Sequence, residues 1–185
     1  ETYAELDRAY AYFNRELFGG ALPACLLTMQ RHRKAYGYFW GGTWSDAGGH
    51  AIADEIALNP DHFRSRPLPN SLATLVHEMC HLQQHHFGKP SRPGYHNREW
   101  AAFMEAVGLV PSDTGLPGGK KTGQTVSHFI APRGRFEVAC TALLQSGFVL
   151  PWLALTNSDE ATQKSNCVEN FRPCTPLEAA RGFWP

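Results

Sequence analysis

The stretch "SLATLVHEMCHLQQHHFG", residues 71–88, holds four of the chain's nine histidines and constrains the fold more than any other segment. Leu72, Leu75, Val76, Met79 and Leu82 recur at the three-and-four spacing of one helix face, with Asn70 or Ser71 expected as the N-cap and Gly88 as the stop. On such a helix His77 and His81 leave the same face one turn apart, so both imidazoles can meet one ion at about 2.0–2.1 Å. Glu78 completes the pattern His-Glu-x-x-His, in which the glutamate beside the first ligand can take a proton from water held by the metal.

A catalytic zinc site needs three protein ligands and one open position. His85 continues the series, but at 1.5 Å rise per residue it lies about 12 Å from His77 along the axis, too far to share one ion. His86 lies off that face, and a longer zinc-binding continuation fails because Gln84 and Phe87 stand where a glycine and a third histidine are needed. Both read as solvated polar residues at a helix end. Beyond Gly88 the chain can turn back, and His96, Glu99 and Glu105 compete for the third place. His96 is favoured, because a Pro-Gly loop sets it at the mouth of the next helix, whereas Glu99 in a first turn is already suited to the helix dipole. Three neutral imidazoles leave the full double charge on the ion, Glu78 is placed as general base, and the reaction class is amide hydrolysis. Tyr36, Tyr95 and His128 are candidates to stabilise the oxyanion, and none is assigned that role.

Around this segment the pattern alternates between helix and strand. "TYAELDRAYAYFNRELFGG" reads as an amphipathic helix with Thr2 and Glu5 at capping-box spacing. "ACLLTMQ" (24–30), "AYGYFW" (35–40) and "HAIADEIALNP" (50–60) read as three strands, antiparallel in the simplest arrangement, with the Gly-rich 41–49 as a long hairpin loop. "NREWAAFMEAVG" (97–108) is a second helix after the histidine-rich one. A loop over 111–124, a strand at 125–131 and a helix at 135–147 follow. The expected class is α+β, a small antiparallel or mixed sheet packed on helices.

Seventeen basic residues balance seventeen acidic ones, so no global field draws the chain to nucleic acid or lipid, and any such contact must be local. No run of about eighteen apolar residues suggests a membrane span. Residue 1 is Glu, which is compatible with a trimmed leader. Five scattered cysteines, Cys25, Cys80, Cys140, Cys167 and Cys174, fit reduced thiols and a cytoplasmic setting.

The stretches "FNRELFGGALP", "YGYFW", "DEIALNP", "TLVHEMCHLQQHHFG" and "GYHNREWAAFMEAVGL" resemble the SprT-like (Spartan-related) metallopeptidases, clearly over residues 2–110 and more loosely over 111–153. The resemblance implies a minimal zincin-like fold over 1–155, one catalytic zinc ion held by His77, His81 and His96, and Glu78 as catalytic residue. It also implies a protein substrate, including DNA–protein crosslinks, with single-stranded DNA as a partner and nucleoid association if DNA is needed; no membrane partner and a monomer are expected. Many relatives end in a zinc ribbon with two Cys-x-x-Cys pairs. Here 156–185 offers only Cys167 and Cys174, so this extension reads as a degenerate remnant. In "QRHRKAYGYFW", Arg31, Arg33 and Lys34 stand before Tyr36, Tyr38, Phe39 and Trp40. Cations beside aromatics suit single-strand binding, and a basic turn ahead of a core strand is the competing reading. The alternatives are a general or effector-type metalloprotease without DNA dependence, and a non-catalytic zinc or DNA-binding module. An intact Glu78 argues against the last.

Overall fold

The computed structural model describes residues 2–151; the extension at 156–185, with Cys167 and Cys174, lies outside the described residues. In chain order the elements are α1 (Thr2–Phe18), β1 (Leu26–Met29), β2 (Gly37–Ser45), β3 (Ile52–Leu58), α2 (Leu68–Phe87), α3 (Arg98–Val107), β4 (Leu109–Ser112), β5 (Ser127–Ile130) and α4 (Arg135–Gln145). The class is α+β, as expected. Among the described residues no helix is long and apolar enough to cross a membrane.

The first sheet is mixed rather than antiparallel. Its order is β1-β3-β2, with β1 parallel to β3 and β2 antiparallel to it. β3 is the central strand, which explains why Ile56, Ala57 and Leu58 are buried in succession. The Gly-rich segment is only half a loop. β2 runs through Gly41 and Gly42 to Ser45, absorbing them in a bulge between Trp40 and Trp44, and Asp46 closes a tight turn by accepting from the His50 and Ala51 amides. A second, two-stranded sheet pairs β4 with β5, Leu109 facing Ile130 and Pro111 facing His128. β4 escapes a sequence reading because Pro111 looks like a stop signal; in a two-stranded sheet its missing N–H need not face a partner.

α2 is the axis of the molecule. It begins a turn earlier than its apolar stripe suggests: Pro69 sits in the first turn, where a missing N–H costs nothing, and the Ser71 hydroxyl is buried without a hydrogen-bond partner rather than serving as a cap. Leu72, Leu75, Val76, Met79 and Leu82 are buried, packed in one cluster with Phe13 of α1, Met104 of α3 and Phe136 of α4. Phe13 and Phe136 stack at 5.5 Å. The capping box on α1 does not form, since the Thr2 hydroxyl is buried and unpartnered and Glu5 pairs with Arg8 instead. α3 is capped at both ends: the Asn97 side chain accepts from the Trp100 amide, and Gly108 takes a left-handed conformation. A side chain at Gly108 would also meet the Arg135 and Phe136 amides at 2.8–2.9 Å, so glycine here both ends α3 and lets α4 start against it.

Candidate metal centre

His77 and His81 leave α2 one turn apart, with ring centroids separated by 5.2 Å. The third imidazole comes from the turn before α3. His96 is fixed at its backbone by a two-way bridge to Gly123: its amide donates to the Gly123 carbonyl at 2.8 Å and its carbonyl accepts from the Gly123 amide at 3.0 Å. This sets its ring 5.6 Å from His77 and 4.9 Å from His81. One ligand atom from each of the three lies within 4.8 Å of the others. Beneath them Trp100, fully buried, touches all three rings at 4.3–5.0 Å between centroids.

The electrostatics favour neutral rings, the form that ligates metal. Burial, then the neighbouring imidazoles of His128, His81 and His96, holds His77 well below the usual histidine range. Burial and His96 bring His81 down to about 3, and burial lowers His96 against the opposing hydrogen bond to Gly123. The outer nitrogens are occupied as well. Nδ1 of His77 faces Nδ1 of His128 at 3.1 Å, and Nδ1 of His96 lies 3.3 Å from the Gly123 carbonyl. Partners on the outer nitrogen orient a ligating histidine and leave Nε2 for the ion. Three neutral, oriented imidazoles are a donor set that fits zinc.

Glu78 is buried next to this cluster, and desolvation raises its carboxyl to about 8. β2 passes directly over it. A side chain at Gly37 would meet the Glu78 carboxylate at 3.3 Å and Thr74 at 3.1 Å, so glycine at 37 lets the strand lie against α2. On its other side β2 is an edge, unpaired among the described residues.

Glu99 and Glu105 are engaged elsewhere. The Glu99 carboxylate accepts from the Gln84 amide and the Lys89 backbone at 2.7 Å each, tying the end of α2 to the start of α3, and Glu105 pairs with Lys121. Of the oxyanion candidates, His128 contacts His77. Tyr36 lies under the Arg66 guanidinium at 4.0 Å, and Arg92 covers the Tyr95 ring. Arg66 escapes the sequence reading. It donates to Thr74, one turn before Glu78, and its charge, after burial, is what lowers His128 to about 4. Nothing in the sequence marks it, because it precedes two prolines in a turn-like run.

Arg31, Arg33 and Lys34 lie exposed in the loop between β1 and β2. Arg31 pairs with Asp61 at 3.4 Å. The Asn59 side chain shapes this loop by donating to the His32 and Ala35 carbonyls at 2.7 and 2.9 Å. Tyr36, Trp40 and Trp44 are also largely open to solvent nearby in sequence.

A family model described as the SprT-like family matches residues 6–125. A protein of Salmonella typhimurium, described as an uncharacterized protein in the mucB 3' region, is 58% identical over 38 residues, 20% of this chain and 51% of that protein. The match thus spans about half the length of that relative. The α+β architecture accords with the zincin-like fold that the family implies.

Proposed function

The chain belongs to the SprT-like family, and from that premise we propose that it is a zinc-dependent endopeptidase acting on protein substrates, with Glu78 as its general base. The observation that carries this reading is the placement of a buried glutamate between two helix-borne histidines, beside a third histidine and beneath an open strand edge. A site with only a structural ion has no use for a base in that position.

His77, His81 and His96 would hold the ion. When bound, zinc would polarise the scissile carbonyl and acidify water toward neutral pH. The chain's own groups do the rest. An extended peptide can pair with the free edge of β2, and because Gly37 lies against Glu78 the pairing carries a peptide bond past the carboxylate. Glu78, shielded from solvent, takes the proton of the attacking water and passes it to the leaving amine. His128 and Gly123 hold the outer nitrogens of His77 and His96, keeping both rings in one tautomer and orientation.

The proposed substrate class is DNA-associated protein, including DNA–protein crosslinks, with single-stranded DNA recruited by Arg31, Arg33 and Lys34 beside Tyr36 and Trp40. The exposure of these three cations and of both aromatics supports that partner. The test is cleavage of an unstructured protein by the zinc-loaded chain, with and without single-stranded DNA, against Glu78→Gln as blank. Glu78-dependent cleavage stimulated by DNA supports the whole reading. Equal cleavage without DNA removes the DNA part and leaves a general or effector-type protease; no Glu78-dependent cleavage under either condition removes the enzyme.

A further inference from the structure

Two of the four histidines on α2 play no part in the centre described above. His85 and His86 fill its last turn, and instead of pointing freely into solvent both rings reach Asp54 on β3. His86 Nε2 lies 2.6 Å from Asp54 Oδ2, and His85 Nε2 lies 4.0 Å from Asp54 Oδ1. One ligand atom from each of the three falls within 4.8 Å of the others. We propose that Asp54, His85 and His86 form a second divalent-metal site, separate from that of His77, His81 and His96.

Adjacent residues on a helix point about 100° apart, so His85 and His86 can share an ion only if another element sets a ligand between them. Asp54 does this from the central strand. Ligand atoms around a tetrahedral ion with bonds of 2.0–2.1 Å sit about 3.4 Å apart, so an ion here would replace the hydrogen bond of His86 to Asp54 Oδ2, opening its 2.6 Å contact, and draw His85 in from 4.0 Å. Two imidazoles and one carboxylate suit zinc and its first-row neighbours rather than magnesium or calcium, which prefer all-oxygen shells.

The surroundings are those of a supported ligand set. The Asp54 side chain is only 10% exposed, and its Oδ1 accepts from the Gly42 amide at 2.8 Å, an anchor that would fix a ligating carboxylate. The His85 ring is seated on Gly41, where a Cβ would come within 2.7–3.0 Å of it, and against Phe39. Both glycines come from the β2 bulge, so that irregularity has a purpose here: it makes room for His85 and turns an amide toward Asp54. The imidazoles remain 43% and 34% exposed, which leaves water free to complete the coordination.

The experiment is a zinc titration of the metal-stripped protein by calorimetry, with bound zinc counted after dialysis. It compares wild type, His85→Ala/His86→Ala, Asp54→Asn and His77→Ala/His81→Ala. The proposal expects the first double variant and Asp54→Asn each to bind one zinc per chain fewer than wild type. It also expects zinc still to raise the melting temperature of His77→Ala/His81→Ala, through a bridge between β3 and the end of α2. Equal zinc counts for wild type and His85→Ala/His86→Ala overturn it, as does a His77→Ala/His81→Ala protein that folds and shows no zinc-dependent shift. Asp54→Asn keeps an acceptor for the Gly42 amide, so its count remains informative if removing both rings unfolds the chain.

Discussion

His77 and His128 face each other through the same atom, Nδ1 to Nδ1, at 3.1 Å. Only one of the two can carry the hydrogen. If His77 presents Nε2 to an ion, its proton sits on Nδ1, His128 accepts it, and the His128 proton is confined to its own Nε2. His128 is then a positioning residue for His77, reached from β5 about twenty residues beyond the end of α3, and not the oxyanion donor that its sequence position allowed.

Replacing His128 by Ala therefore weakens zinc binding by about 10–100-fold, the usual cost of losing a partner on the outer nitrogen of a ligand. Competition for zinc against a chromogenic chelator reads this directly. Unchanged affinity with a reduced cleavage rate would instead place His128 on the substrate side.

The sequence makes some of this architecture visible and hides the rest for identifiable reasons. The α2 stripe, the end of the next helix at Gly108, and the one-turn spacing of His77 and His81 are local patterns, and the structure has each of them. Pairings between distant segments leave no such trace. β1 lies parallel to β3 although β2 comes between them in sequence, and Pro69 and Pro111 conceal the start of α2 and the whole of β4. The partners of His77 and of His86 are 51 and 32 residues away, beyond the reach of any periodicity. A histidine is readable as a ligand when its companion is one helical turn off, and looks like surface when its companion is on another strand.

Burial of Glu78 gives the metal-free protein a pH signature. Desolvation raises its carboxyl from the ordinary 4.5 to about 8. Below pH 4.5 folded and unfolded chains both hold the proton. Between 4.5 and 8 the unfolded chain releases it while the folded chain keeps it, so stability falls as pH rises, and the fall ends above 8. Denaturation in the presence of chelator is expected to show Glu78→Gln gaining on wild type from pH 5 to pH 8, by on the order of a few kcal/mol. A constant difference across that range would mean that Glu78 is solvated.

Trp100 supports three imidazoles with its ring, while its Nε1 has no hydrogen-bond partner. The ring therefore matters and the N–H does not. Trp100→Ala should lose about 3–5 kcal/mol of stability, and zinc affinity with it. Trp100→Phe, which keeps an aromatic surface and drops an unpaired donor, should lose clearly less on both measures. Equal losses in chemical denaturation would show that the indole N–H has a partner in solution.

Glu78→Gln is expected to retain zinc while losing about 10²–10⁴-fold in cleavage rate, since it removes proton transfer and leaves the three imidazoles in place. Zinc content and single-turnover cleavage, measured on the same preparation, separate the two. Loss of zinc together with activity would assign Glu78 to metal binding instead.

Gly37 is where the strand edge and the base meet. A Cβ there would stand 2.9 Å from the Ala57 carbonyl oxygen, a backbone atom of the central strand that cannot step aside, and 3.3 Å from the Glu78 carboxylate. The β2 strand must then move away from β3 or from α2, at about 1–3 kcal/mol for an overpacked contact. Either displacement separates the edge that receives substrate from the carboxylate that moves its proton, while His77, His81 and His96 stay where α2 and the Gly123 bridge hold them. Gly37→Ala is therefore expected to keep its zinc and to lose far more in kcat/KM than its loss of stability accounts for. An equally active variant would show that substrate does not approach along β2.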